Sequence, residues 1–145
     1  MKLRIFIAGL CSIAFLALSS NPASAQTTTS CTLATLAGTY GLTVEGSRFV
    51  PGKGVLPLTG LAVPTFDGRG HVRQIDTITL GGVLTAHNRV SMGTYSVNPN
   101  GTGTMTFFAG PVTLHIDFVL TEGGRQMHTI RIDPGTNVLS FGEKQ

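Results

Sequence analysis

Tryptophan is absent from the 145-residue sequence, tyrosine occurs only twice, and 12% of residues are charged. So little charge, set against 41% hydrophobic residues, excludes a disordered polyelectrolyte. It also leaves too few ionic pairs to flank a coiled coil. Cysteine is equally scarce: Cys11 and Cys31 cannot build a disulfide-stapled miniprotein. Four scattered histidines and no cysteine pair give no metal-ligand spacing, so neither a metal site nor a cofactor is expected. Nucleophile-elbow, phosphate-loop and His-Glu-x-x-His patterns are all missing. The length allows one domain with a real core.

The first 25 residues have the layout of an export signal. Lys2 and Arg4 supply a positive start, residues 5–18 are uncharged and apolar, and Ala23-Ser24-Ala25 ends the segment as a cleavage pattern. The apolar run is shorter than the ~20 residues that a membrane-crossing helix requires. The expectation is cleavage near Ala25 and a periplasmic or extracellular product with no membrane span. Removing Lys2 and Arg4 lowers the cations from 10 to 8 against 7 acids, so net charge falls from +3 to +1. That is too little basic charge for a nucleic-acid partner. Residues 26–37 read as a flexible arm containing Cys31, a free thiol or a bridge between two chains. Residues 38–145 read as the folded domain.

That domain is written in strand chemistry. Val, Ile, Thr and Phe recur in short runs punctuated by Gly, Asn and Pro. Strands are predicted at 38–45, 60–66, 71–80, 83–90, 93–97, 102–109, 112–121, 126–133 and 137–141. A single apolar turn is expected within 30–37, and residues 47–58 read as a long loop. Asp67-Gly68, Gly81-Gly82, Asn100-Gly101, Gly110-Pro111 and Gly123-Gly124 supply tight reversals. The fold class is therefore all-β: a single closed or nearly closed antiparallel up-and-down barrel of eight or nine strands, with a β-sandwich as the alternative.

One hairpin can be registered from its pattern. Val112, Leu114, Ile116, Phe118 and Leu120 share a face, and Thr113, His115, Asp117 and Thr121 share the other. A three-residue loop at 122–124 pairs Thr121 with Arg125 and sets His128, Ile130 and Ile132 opposite Phe118, Ile116 and Leu114. This register puts His128 in the lumen and leaves Thr129 and Arg131 on the outer polar face. A shift by one would set Arg131 against Ile116, and burial argues against it.

The strings Ala37-Gly38-Thr39-Tyr40-Gly41, Thr65-Phe66-Asp67-Gly68-Arg69-Gly70-His71-Val72 and Gly93-Thr94-Tyr95-Ser96-Val97-Asn98-Pro99-Asn100-Gly101-Thr102-Gly103-Thr104 carry a resemblance that continues through Asp117-Phe118-Val119. On them the chain resembles a group of small exported bacterial β-barrel proteins of unknown function. More distantly it looks like the calycin and allene-oxide-cyclase-type barrels. The resemblance implies a lumen that either holds a small apolar molecule or catalyses a cyclisation. Avidin-like barrels are a poorer likeness, because their pocket uses tryptophans.

Candidate ligand-binding residues are His128, Phe118, Ile116, Ile130, Tyr40, Tyr95 and Phe107, as lumen-facing aromatic, aliphatic and polar groups. Each also reads as plain core. His115 and Asp117, with Arg131 as a cross-strand neighbour, form a candidate acid–base face or an exposed polar one. Asp76 lies on the strand face opposite His71 and Arg73, and His87 lies near a strand end. The function expected is an exported barrel holding an apolar small molecule. The alternatives are a barrel isomerase or cyclase and a structural envelope protein with a packed interior.

Overall fold

The computed structural model describes residues 30–145; the expected export signal, residues 1–25, and residues 26–29 of the expected arm lie outside the described residues. Eight strands follow in order: β1 (Gly38–Val50), β2 (Gly54–Phe66), β3 (His71–Leu80), β4 (Val83–Val97), β5 (Thr102–Ala109), β6 (Val112–Thr121), β7 (Gln126–Arg131) and β8 (Thr136–Lys144). Each pairs antiparallel with the next, and β8 returns to pair with β1, Tyr40 opposite Lys144 and Arg48 opposite Thr136. The barrel is closed, as the edge argument predicts. No described helix is long and apolar enough to cross a membrane.

Period-two alternation decides which side chains meet inside. Along β5, Gly103, Met105, Phe107 and Ala109 are buried while Thr104 and Phe108 face out. The same alternation in β6 buries Leu114, Phe118 and Leu120. Each large apolar side chain removed from water contributes roughly 1.5–3 kcal/mol. Gly103 is required rather than merely tolerated, because a Cβ there would stand 2.3 Å from the Phe118 ring.

Three sequence expectations need correction. Residues 47–58 form no long loop: β1 and β2 continue as a hairpin with Phe49 opposite Val55 and Val50 opposite Gly54. Glycines at φ 75° and 78° (Gly52 and Gly54) close a turn that the Pro and Gly content disguised as a loop. Strands predicted at 83–90 and 93–97 are one strand, β4, running through Ser91 and Met92; its irregularity lies earlier, where the pairing with β3 shifts between Asp76 and Thr79. The third concerns the β6–β7 hairpin, whose register is the one that the burial argument disfavours. Thr121 pairs with Gln126, Val119 with His128, and Ile116 with Arg131. The loop holds four residues, Glu122 to Arg125, rather than three, so every β7 side chain is reversed.

One end of the barrel is closed by packing. The 3-10 turn Leu33–Leu36 lies across it with Leu36 fully buried. Tyr40, Phe66 and Tyr95 stack edge to face beneath, with centroids 5.6 and 5.0 Å apart. The Tyr40 hydroxyl donates to the Gly124 carbonyl, and that of Tyr95 donates to the Leu33 carbonyl at 3.1 Å. Lys144 Nζ donates to the Thr35 carbonyl at 3.1 Å, pinning the turn from the last strand. Gly124, at φ 91°, must lack a side chain because a Cβ would meet Thr35 Cγ2 at 2.6 Å.

Candidate functional site

The opposite end, edged by the β1–β2, β3–β4, β5–β6 and β7–β8 turns, is open. A cavity of about 170 Å³ enters the barrel there. Its wall is largely apolar: Leu42, Val44, Leu58, Ile78, Met105 and Phe107 are buried side chains on four strands. Val112, at 40% exposed, stands at the mouth.

Polar groups enter this greasy wall in two places. On β3 and β4, Asp76 is 3% exposed and lies opposite Arg89 in the pairing register. Arg89 grips it with both ends of its fork, Nε to Oδ1 at 3.0 Å and Nη2 to Oδ2 at 2.7 Å. Gln74 Nε2 donates to the same carboxylate at 3.2 Å. A carboxylate so deep is stable only with such partners, because desolvating an unpaired charge costs several kcal/mol. Ser91, opposite Gln74, is buried with no partner for its Oγ among the described residues.

The second polar group lies on β7 and β8. Thr129 and Ser140 are register partners facing inward, and Arg131 follows Thr129 on the same face. Arg131 is 15% exposed and donates Nε–H to Asp133 Oδ2 at 2.6 Å. Asp133 also meets His115, Nδ1 to Oδ1 at 2.7 Å, and accepts the His115 backbone N–H at 3.1 Å. Burial opposes ionisation of Asp133, but the hydrogen bonds from His115 and Arg131 outweigh it and hold the carboxyl below its ordinary range. Arg48 completes the cationic lining from β1.

These placements sort the sequence candidates into three groups. Ile116 and Phe107 line the cavity. Tyr40, Tyr95 and Phe118 are buried outside its lining, and both tyrosine hydroxyls are spent on backbone carbonyls. Burial, and the neighbouring Tyr95, push the Tyr40 phenol up to about 12. His128 and Ile130 stand on the outer surface, where His128 packs on Phe141 at 4.7 Å between centroids and Ile130 is 44% exposed. The corrected register is the cause: it moves these two out and brings Met127, Thr129 and Arg131 in.

His115 makes its hydrogen bond with Asp133 rather than Asp117, and Arg131 reaches the same carboxylate from the lumen side. Alternation had already set Asp76 apart from His71 and Arg73, which are both exposed. Its arginine partner was hidden by the register shift between β3 and β4. Cys31 forms no disulfide among the described residues, and its backbone N–H donates to Pro99 O at 3.0 Å. Among the described residues no cluster of three His, Cys, Asp or Glu could hold a metal ion.

Chemically, the arrangement is an apolar pocket, open at one end, with one internally neutralised acid and a second polar patch whose donors face the cavity. No family model, no curated protein and no solved structure matches this chain.

Proposed function

We propose that this chain is an exported small-molecule-binding barrel, akin to the calycin-type barrels, that holds an apolar ligand in its lumen. The observation that supports the reading is the open cavity of about 170 Å³ with an apolar wall. A barrel built only for structure would gain by filling that space, since voids forfeit packing energy. The isomerase or cyclase alternative wants a lumen group free to take a proton. Asp76, the acid in the wall, is engaged by Arg89 and Gln74. Binding therefore fits the geometry better than catalysis.

Native mass spectrometry of the protein purified from its own host tests the reading. An added mass that disappears on denaturation is expected. In parallel, toluene should shift the methyl resonance of Met105, which is 3% exposed and lines the cavity. A bare-chain mass together with an unmoved Met105 methyl would refute the reading.

A further inference from the structure

The geometry points to an acidic head group on the ligand: Arg131, Thr129 and Ser140 form a carboxylate subsite inside the mouth, with the apolar body directed down the lumen. This inference rests on the ligand-binding reading above and adds the chemical class of the ligand.

The two polar places in the wall differ in what they have left to give. Both oxygens of Asp76 are bonded by Arg89 and Gln74 adds a third donor, so the acid is spent, while Arg89 is 38% exposed and turns its remaining N–H groups to water at the mouth. Arg131 is different. It spends Nε on Asp133, while its terminal nitrogens have no partner among the described residues. A guanidinium presents paired donors that match a carboxylate in two parallel bonds. Beside it, Thr129 and Ser140 face each other across β7 and β8 on the inward side. Three donor groups thus converge from two strands onto one patch of the cavity wall.

Charge balance argues the same way. The wall carries Arg48, Arg89 and Arg131 against Asp76. Adding Asp133, which neutralises Arg131 from the rim, still leaves three cations against two anions. Arg48 has no acidic partner within 4 Å among the described residues. Arg48, the cation left over, is exposed at the mouth, where its charge draws an anion toward the arginine deeper in. A neutral hydrocarbon would leave the unspent Arg131 donors unanswered. Size narrows the class further. An apolar cavity of about 150 Å³ accepts one benzene ring. A one-ring or short-chain carboxylic acid therefore fits, with its carboxylate at the arginine.

The test compares benzoate with benzyl alcohol, which has the same ring and no charge. The full chain is titrated by calorimetry, with the Met105 methyl resonance as the report of lumen occupancy. Benzoate should bind at least tenfold tighter than benzyl alcohol. Arg131→Gln should remove that preference, weakening benzoate far more than benzyl alcohol. Thr129→Val leaves the Arg131–Asp133 pair intact and should weaken benzoate several-fold, which keeps the inference testable if Arg131→Gln fails to fold. Arg131→Lys should fall between parent and glutamine variant, since it keeps the charge and loses the fork. Equal affinity for the two probes would overturn the acidic-head inference alone. A preference that survives in Arg131→Gln or Arg131→Lys at full strength would overturn the assignment of Arg131. If neither probe moves the Met105 methyl while toluene does, the acidic-head inference falls; if toluene also leaves it unmoved and the mass is that of the bare chain, the ligand-binding reading itself falls.

Discussion

Replacing Arg89 by methionine should be among the costliest single changes in the lumen wall. Asp76 is 3% exposed, and two of the three hydrogen bonds to its carboxylate come from Arg89, at 3.0 and 2.7 Å. The variant leaves a buried anion with Gln74 as its one remaining donor, at 3.2 Å. Stripping one partner from a fully buried ion pair costs about 3–5 kcal/mol. The Arg89 side chain is 38% exposed, so water at the mouth can recover part of that solvation. A loss of about 2–3 kcal/mol is therefore expected. Asp76→Leu alone should cost less, because the abandoned guanidinium can reach solvent. The double variant Asp76→Leu/Arg89→Met exchanges ions for packed methylenes and should lie within about 1 kcal/mol of the parent. Urea unfolding at neutral pH reads these differences, followed by far-ultraviolet dichroism or by tyrosine emission. With no tryptophan to mask them, Tyr40 and Tyr95 report on the closed end. If the single losses simply add in the double variant, or if Arg89→Met costs under about 0.5 kcal/mol, the pair is not the electrostatic unit described here.

Two further outcomes concern pH. Tyr40 is buried with its phenol pushed up to about 12, so its folded pKa exceeds the unfolded value of 10.0. Its contribution is intact below pH 10 and is lost as pH climbs toward 12, about 2–3 kcal/mol in all; Tyr40→Phe should flatten this alkaline limb of the stability profile, and an unchanged limb would refute the assignment. Asp133 has the opposite sign: its pKa is lowered from 3.8, so its contribution is present above about pH 4 and disappears as pH falls further. Asp133→Asn should weaken the protein at pH 7 by about 1 kcal/mol and reduce its acid sensitivity, as seen by thermal melts between pH 2 and 7.

How much of this was legible in the sequence depended on how local the signal was. Hairpin reversals are written in two or three residues, so Asp67-Gly68, Gly81-Gly82 and Gly110-Pro111 placed their turns correctly. Asp67 even displays its mechanism, accepting the backbone N–H groups of Arg69 and His71 at 2.7 and 2.9 Å. Closure followed from strand count and the cost of open edges. The β6 face was also readable, since Leu114, Ile116 and Phe118 alternate with Thr113, His115 and Asp117. What failed was β7. In Gln126-Met127-His128-Thr129-Ile130-Arg131 both alternating sets mix apolar with polar residues, so the pattern cannot choose a face. Penalising a buried arginine then selected the wrong one. Nothing local reveals that Asp133, two residues on, curls back to neutralise Arg131, or that the wall beside it borders a cavity.

That failure says where the chain departs from a design for stability. Burying Ile130 and Ile132 in place of Thr129 and Arg131 would gain apolar area; instead Ile130 and Ile132 are 44% and 54% exposed. An exposed isoleucine and a buried arginine are each unfavourable alone. They occur together on β7, toward the open end, while the interior of the closed end holds Leu36, Tyr40, Phe66 and Met127 at 2% exposed or less. Unspent hydrogen-bond donors around an open apolar cavity at one end, with a packed aromatic cluster at the other, have the division of labour expected of a binding site set on a stable scaffold. The same division makes the two ends experimentally separable. Changes at Tyr40 or Phe66 should register in unfolding and changes at Arg131 or Thr129 in ligand affinity, so the location of a variant's effect along the barrel is itself a test of the assignment.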